Sequence, residues 1–286
     1  MIAEKDFAGR QTRGSRGHQE DAYAFSDILG AEKRVEGLLV VVADGMGGHT
    51  SGDEASELAL ESFIEAFHNA GGLLRDRLRT AALAANDAIA QELKRSPQLE
   101  GMGTTLLAAG ITNSGAEWIS IGDSPLYLWR DNNLKRLNED HSFRPMLHDM
   151  VETGELAPAD LARHPLRNLL RAALTGDEIE LIDQPAQPFA LKAGDLILAA
   201  TDGIQTLKDD AIAAAMAKAA SADASTVASS LLQTLLEAAN PRQDNATVAI
   251  IKAAPEGFVA HAPLPPTPES ETNTETVTII ISPSRR

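Results

Sequence analysis

The sequence predicts an α+β fold of the α-β-β-α kind, two stacked antiparallel sheets flanked by helices. Three observations predict it. Strand-like apolar runs occur early, in the middle and late in the chain, and pairs of amphipathic helices lie between them. The central strands follow one another through tight turns, which makes their pairing antiparallel rather than βαβ. Helices with one apolar stripe must cover a sheet face, so the layered sandwich is the simplest solution.

The elements follow in order. Leu38–Ala43 is an apolar, β-branched run of strand length, ending at Asp44 and a glycine-rich loop, "DGMGGHTSG". Residues 54–70 place Leu60, Phe63, Ile64 and Phe67 on one helical face, and Gly71-Gly72 stops them. Residues 73–95 repeat the pattern with Leu74, Leu78, Ala85, Ile89 and Leu93, stopped by Ser96-Pro97. Short strands are predicted at 103–111, 117–123 and 126–131, with Asn132-Asn133 as a two-residue hairpin turn, because asparagine tolerates positive φ. From 142 to 173 the helical pattern is broken by Pro145, Pro158 and Pro165. Strands return at 178–183, 195–200 and 246–252, with helices at 209–220 and 223–239 between the last two.

A boundary is expected near 254. Residues 1–254 read as one catalytic domain and 255–286 as a disordered tail rich in Pro, Thr and Glu. The tail's "VTIII" reads as a remnant in preference to an edge-adding strand. Thr272, Thr274, Thr276 and Thr278 sit in an acidic setting suited to phosphorylation and to binding a partner.

Composition narrows the function. A formal net charge of −16 and a pI near 4.8 argue against nucleic acid and anionic membrane, both polyanions. The chain has no cysteine, which removes disulfides and thiolate metal sites. The opening residues lack a signal peptide's apolar core, and no run approaches the ~20 apolar residues of a membrane span. The expectation is a soluble cytoplasmic protein.

The chemistry lies in acidic residues at strand ends: Glu20-Asp21, Asp44, Asp123, Asp202 and Asp244. Apolar strands run into Asp44-Gly45, Gly122-Asp123 and Asp202-Gly203, while Asp244-Asn245 precedes one. A single Asp-Gly after a strand is an ordinary turn. Several such strand ends, brought together, would crowd carboxylates that cannot all ionise without cations among them. Oxygen-only ligands point to Mg²⁺ or Mn²⁺. The glycine loop is neither a Walker loop, since no lysine lies in 38–56, nor a dinucleotide fingerprint, since Thr50 stands where the third glycine belongs.

The segments "GSRGHQED", "ADGMGGHTSGDEAS", "GMGTTL", "SIGDSPLYLWRDNNLKRLNEDHS", "ATDGI" and "RQDNATV" resemble, in this order, the bacterial form of the PPM family of metal-dependent serine/threonine phosphatases, the type 2C phosphatases. The likeness runs from about Asp6 to Ala253. It implies the two-sheet fold and a binuclear Mn²⁺ or Mg²⁺ centre. Asp44 would bridge the ions, Gly45 would offer its carbonyl, and Asp202 and Asp244 would hold the second ion. Glu20 and Asp21 would act nearby, partly through water. Asp123, with Asp202, matches a third-ion position. Arg16 matches the arginine that grips the substrate phosphate, a task that suits a guanidinium. The implied reaction is hydrolysis of phosphoserine and phosphothreonine by a metal-bridging hydroxide, opposing a serine/threonine kinase. Two other outcomes stay open: a binding module without turnover, and a hydrolase of small phosphate esters.

Two departures from the family pattern matter. Met46 stands where many eukaryotic members carry a proton-donating histidine. That leaves a metal-bound water, or His49, as the acid; His49 reads more simply as a loop residue, and His141 as structural. Pro125 replaces the arginine usual after Gly-Asp-Ser, which weakens the case for a third ion.

Overall fold

The computed structural model describes residues 1–30, 33–47, 51–161 and 163–253. Its strands are β1 (Phe7–Thr12), β2 (Asp21–Leu29), β3 (Val35–Met46), β4 (Gly103–Thr104), β5 (Leu106–Thr112), β6 (Gly115–Ile121), β7 (Leu126–Arg130), β8 (Asn133–Arg136), β9 (Leu196–Ala200) and β10 (Ala246–Lys252). Its helices are α1 (Ser51–Asn69), α2 (Leu74–Arg95), α3 (Arg144–Glu152), α4 (Pro158–Leu161), α5 (Asp209–Ala219) and α6 (Ala224–Glu237). One sheet has the order β1-β10-β9-β7-β8 and the other β2-β3-β5-β6, with β4 attached to β3. All the strand pairings are antiparallel.

Three apolar layers hold the sandwich. Between the sheets lie Phe7, Phe25, Val40, Val42, Leu107, Leu128, Ile197 and Ile251. The outer face of the second sheet packs on α1 and α2 through Leu39, Val41, Phe63, Phe67, Leu78 and Ile89. The outer face of the first sheet packs on α5 and α6 through Leu198, Val248, Ile250, Ile212, Leu231 and Leu235. Alternate residues of β3 therefore face opposite layers, and both layers are dry. That is why Leu38–Ala43 is apolar throughout, where a half-exposed strand would alternate.

The structure moves several predicted boundaries. β3 does not stop at Ala43; it carries Asp44 and continues to Met46, because β4 pairs with Gly45 and Met46. The predicted strand 103–111 is two strands split at Thr105, whose backbone N–H turns to the Asp44 carbonyl. The β7–β8 turn is Asp131-Asn132, one residue earlier than expected. Both have positive φ, and Arg130 pairs with Asn133. Residues 178–183 form no strand; they join β6 through an isolated bridge at Asp183 and a bond from Trp118 Nε1 to the Asp183 carboxylate, and Phe189 adds a second isolated bridge further on. Pro185 and Pro188 remove the donors that a longer ladder needs. Among the described residues of 142–173 only α3 and α4 are helical, and β1, β2 and β8 were not predicted. The predicted tail and His49 lie outside the described residues. Among the described residues no helix is long and apolar enough to cross a membrane.

Phe63 lies fully buried where α1 meets the sheet. Phe63→Ala is expected to cost about 3–5 kcal/mol, read as a lowered urea midpoint with an unchanged denaturant slope.

Candidate metal centre

Strand register makes the first contact. Asp21, the first residue of β2, stands directly opposite Asp44 on β3. Residues so paired point to the same sheet face, with Cβ atoms about 5 Å apart. The Asp44 backbone is clamped at both ends. Its N–H donates to Thr105 Oγ1 at 3.1 Å, and its carbonyl accepts from Thr105 N and Thr104 Oγ1, both at 2.9 Å.

The other sheet brings the remaining carboxylates. β9 ends at Ala200, Thr201 follows, and Asp202 opens a short 3₁₀ turn, Asp202–Thr206. Asp244 and Asn245 immediately precede β10. Thr201 and Thr247 each donate a hydroxyl hydrogen bond to Asp21 Oδ2 at 2.8 Å, tying the two sheets together. Asp21 is 6% exposed, and its other oxygen, Oδ1, has no partner.

Asn245 organises the loop between β1 and β2. Its Nδ2 donates to the carbonyls of Arg13 and His18, and its Oδ1 accepts from Glu20 N. Ser15 adds two bonds to the Gln243 carbonyl. The loop presents Arg16, whose side chain is 54% exposed and whose Nη2 reaches Asp244 Oδ2 at 2.5 Å. Gly45 belongs to the same junction. Its N–H donates to the Glu20 carbonyl, and a Cβ there would stand 2.6 Å from that oxygen and closer still to Gly52. Glycine is required by close approach.

Arg16, Glu20, Asp44, Gly45, Asp123, Asp202 and Asp244 all line one cavity of about 700 Å³. Asp21, buried against Asp44, does not line it. All eight sequence-predicted residues therefore meet in one region. Met46 lines the same cavity and has no proton to give.

The electrostatics match a site built for cations. Burial, opposed by the two threonine hydroxyls and reinforced by the charges of Asp202 and Asp244, pushes Asp21 up to about 7. Burial, with the charges of Asp123 and Asp244, pushes Asp202 up to about 7 as well. Asp44 lies well above the ordinary carboxylate range, through burial first and then Asp21, Asp202, Asp123 and Asp244. Among the described residues no three acidic or histidine side chains close tightly enough to form a complete ion cage by themselves. Hard ions that keep water ligands tolerate such an incomplete set. The orphaned Asp21 Oδ1, the raised carboxylates and an all-oxygen donor set fit Mg²⁺ or Mn²⁺.

Several residues of the site were not found from the sequence. Thr201, Thr247 and Asn245 lie within three positions of Asp202 or Asp244, and their only signal was that adjacency; Thr105, 61 positions from Asp44, had none. Around Asp123, His141 Nδ1 accepts from Gly122 N at 3.3 Å, and burial lowers its pKa, so the ring is a neutral acceptor. This agrees with a structural role. Asn138 fixes Ser120 and Ser124 on either side of the same turn. Arg144, the first residue of α3, donates to the Asp123 carboxylate, and no local motif announced it.

A two-sheet sandwich with strand-end carboxylates gathered at one cavity defines the metal-dependent phosphatases. The family model for protein phosphatase 2C matches residues 8–249, and the chain belongs to that family. Its relatives include the serine/threonine protein phosphatase PstP of Mycobacterium tuberculosis, 34% identical over 248 residues. That alignment spans 85% of this chain and 44% of the length of PstP. The crystal structure of PstP/Ppp from the same organism superposes with a TM-score of 0.69 at 32% identity, covering 86% of this chain and 97% of that one. A structure of the PstP catalytic domain in complex with two manganese ions matches at 31% identity and a TM-score of 0.68, covering 86% and 96%. The family is metal-dependent.

A pH-dependent cost follows from the carboxylates. Without divalent ions, Asp202 keeps its proton in the folded state up to about pH 7, whereas the unfolded chain releases it near 3.8. Stability is therefore lost as pH rises through that interval, and the penalty is complete above pH 7. In EDTA, Asp202→Asn is expected to raise the melting temperature at pH 8 and leave it unchanged near pH 4. Added Mn²⁺ is expected to raise the wild-type melting temperature at pH 8 by more than that of the variant. Calorimetry at the two pH values checks both.

Proposed function

We propose that this chain is a Mn²⁺- or Mg²⁺-dependent phosphoprotein phosphatase that hydrolyses phosphoserine and phosphothreonine. The observation that carries the proposal is the convergence of Asp44, Asp202 and Asp244 beside an accessible arginine, Arg16, at one cavity, with Asp21 buried opposite Asp44 behind it. In this assignment Asp44 and the Gly45 carbonyl would serve as ligands for the two divalent ions. Asp202 and Asp244 would hold the second of them, and Glu20 and Asp21 act through bound water. When bound, the ions supply Lewis acidity and a water that loses its proton near neutral pH.

The chain's own groups do the rest. Arg16 presents parallel N–H donors to two oxygens of the substrate phosphate and opposes the negative charge that builds on them. Its exposure and its single partner, Asp244, leave it free to exchange that carboxylate for a phosphate. Asn245, through three bonds to the Arg13–Glu20 loop, sets where Arg16 stands. Thr201 and Thr247 fix one oxygen of Asp21 and leave the other buried without a hydrogen-bond partner. Phosphoproteins are the substrate class, a serine/threonine kinase acts in the opposite direction, and the cytoplasm is the setting.

With Mn²⁺ present, the protein is expected to hydrolyse p-nitrophenyl phosphate and phosphothreonine peptides, and EDTA to stop both reactions. Asp44→Ala is expected to abolish turnover; full activity in that variant would falsify the assignment. Arg16→Ala, which removes a charge-assisted contact worth roughly 1.5–3 kcal/mol, is expected to weaken KM for a phosphopeptide by about 10- to 100-fold. Arg16→Lys should recover only part of that loss, because an ammonium cannot make the paired contact. Steady-state kinetics on peptides and on small phosphate esters also reports which class the cavity prefers.

A further inference from the structure

Asp123, the residue at which a third ion is expected, is 3% exposed and already faces a cation. The Arg144 guanidinium donates through Nη2 to Asp123 Oδ2 and through Nη1 to Gln205 Oε1. Its Nε donates to Ser142 Oγ at 3.2 Å and lies 3.6 Å from Asp140 Oδ2. Ser142 is itself held by Asp140, since its Oγ donates to Asp140 Oδ1 at 2.6 Å. Asp140 in turn pairs with Arg136, which donates to the backbone carbonyl of Asp123. Every edge of the guanidinium therefore has an acceptor, and the Arg144 side chain is only 15% exposed.

The contrast with Arg16 is informative. Arg16 has one carboxylate partner and more than half its side chain in solvent, so it can swing away when Asp244 is needed elsewhere. Arg144 stays in place without Asp123, because Ser142, Asp140 and Gln205 remain as acceptors. Gln205 lies in the turn that begins at Asp202, so the guanidinium connects the Asp123 turn to the Asp202 turn. Those are the two carboxylates to which the third-ion position was assigned. A divalent ion bound by Asp123 needs ligand oxygens within about 2.0–2.6 Å. It would therefore share a buried carboxylate with a fixed positive charge, in a setting where like charges are poorly screened.

We infer that Arg144 is a built-in cation that takes the place of a third metal ion at Asp123, so that the centre works with two ions and a guanidinium. This rests on the two-ion assignment above. It makes Arg144 a positioning residue, with α3 joined to the Asp123 and Asp202 turns by side chains.

Equilibrium dialysis of the full chain against Mn²⁺, with metal counted by mass spectrometry, tests it. The wild-type protein is expected to hold two ions. Arg144→Gln is expected to hold three, the added ion weaker than the other two, and Arg144→Gln/Asp123→Asn to return to two. Arg144→Lys, which keeps the charge, should remain at two and stands as the second variant if Arg144→Gln does not fold. Three ions on the wild type, one of them lost in Asp123→Asn, would overturn the inference and leave the two-ion assignment standing. Two ions on a folded Arg144→Gln would overturn it as well. No ion on the wild type would remove the two-ion assignment and this inference together.

Discussion

The register between β2 and β3 is the constraint from which the site follows. Placing Asp21 opposite Asp44 forces two carboxylates onto one face at the buried end of an apolar sheet. A shift of β2 by one residue would turn Asp21 to the face opposite Asp44 and send the side chains of β2 to the wrong layer. The same packing that makes β3 apolar on both faces fixes where its acidic residues emerge. Placement of the two carboxylates and core formation are thus set by a single alignment.

The neighbouring sheet completes the cluster through hydroxyls and an amide. Thr201, Thr247 and Asn245 carry no charge, yet they span the seam between the sheets and hold Asp21 and the Arg16 loop. Neutral donors suit that position, because they fix a carboxylate without cancelling its charge. Around Asp123 the solution differs: two arginines and Asp140 form a closed ionic network. The centre therefore has one side left open to incoming cations and one side satisfied from within.

Most of the architecture was legible in the sequence. Strands buried on both faces and helices with a single stripe leave strong periodic signals, and those elements lie close to their predicted limits. Errors arose where tertiary partners overrode local pattern. The short β4 extends β3 past Asp44, and Asp131 accepts a positive φ that asparagine was expected to take. The apolar letters of 178–183 pack against the core without forming a ladder. β1 and β2 were missed because glycine, serine and charged residues interrupt them, although paired neighbours make them strands. The acidic residues of the site were readable because each adjoins a strand end. Arg144 was not, because its partners lie 21 and 61 positions away in the chain and nothing beside it announces them.

The position of β10 has a consequence for the timing of biosynthesis. This strand sits between β1 and β9, although among the described residues it comes last in chain order. Asp244 and Asn245 arrive just ahead of it. Until the ribosome releases that segment, β1 has no strand to pair with in the first sheet and the Arg16 loop lacks its clamp. A partly synthesised chain consequently lacks the complete acidic cluster, which assembles only when the whole sandwich can close.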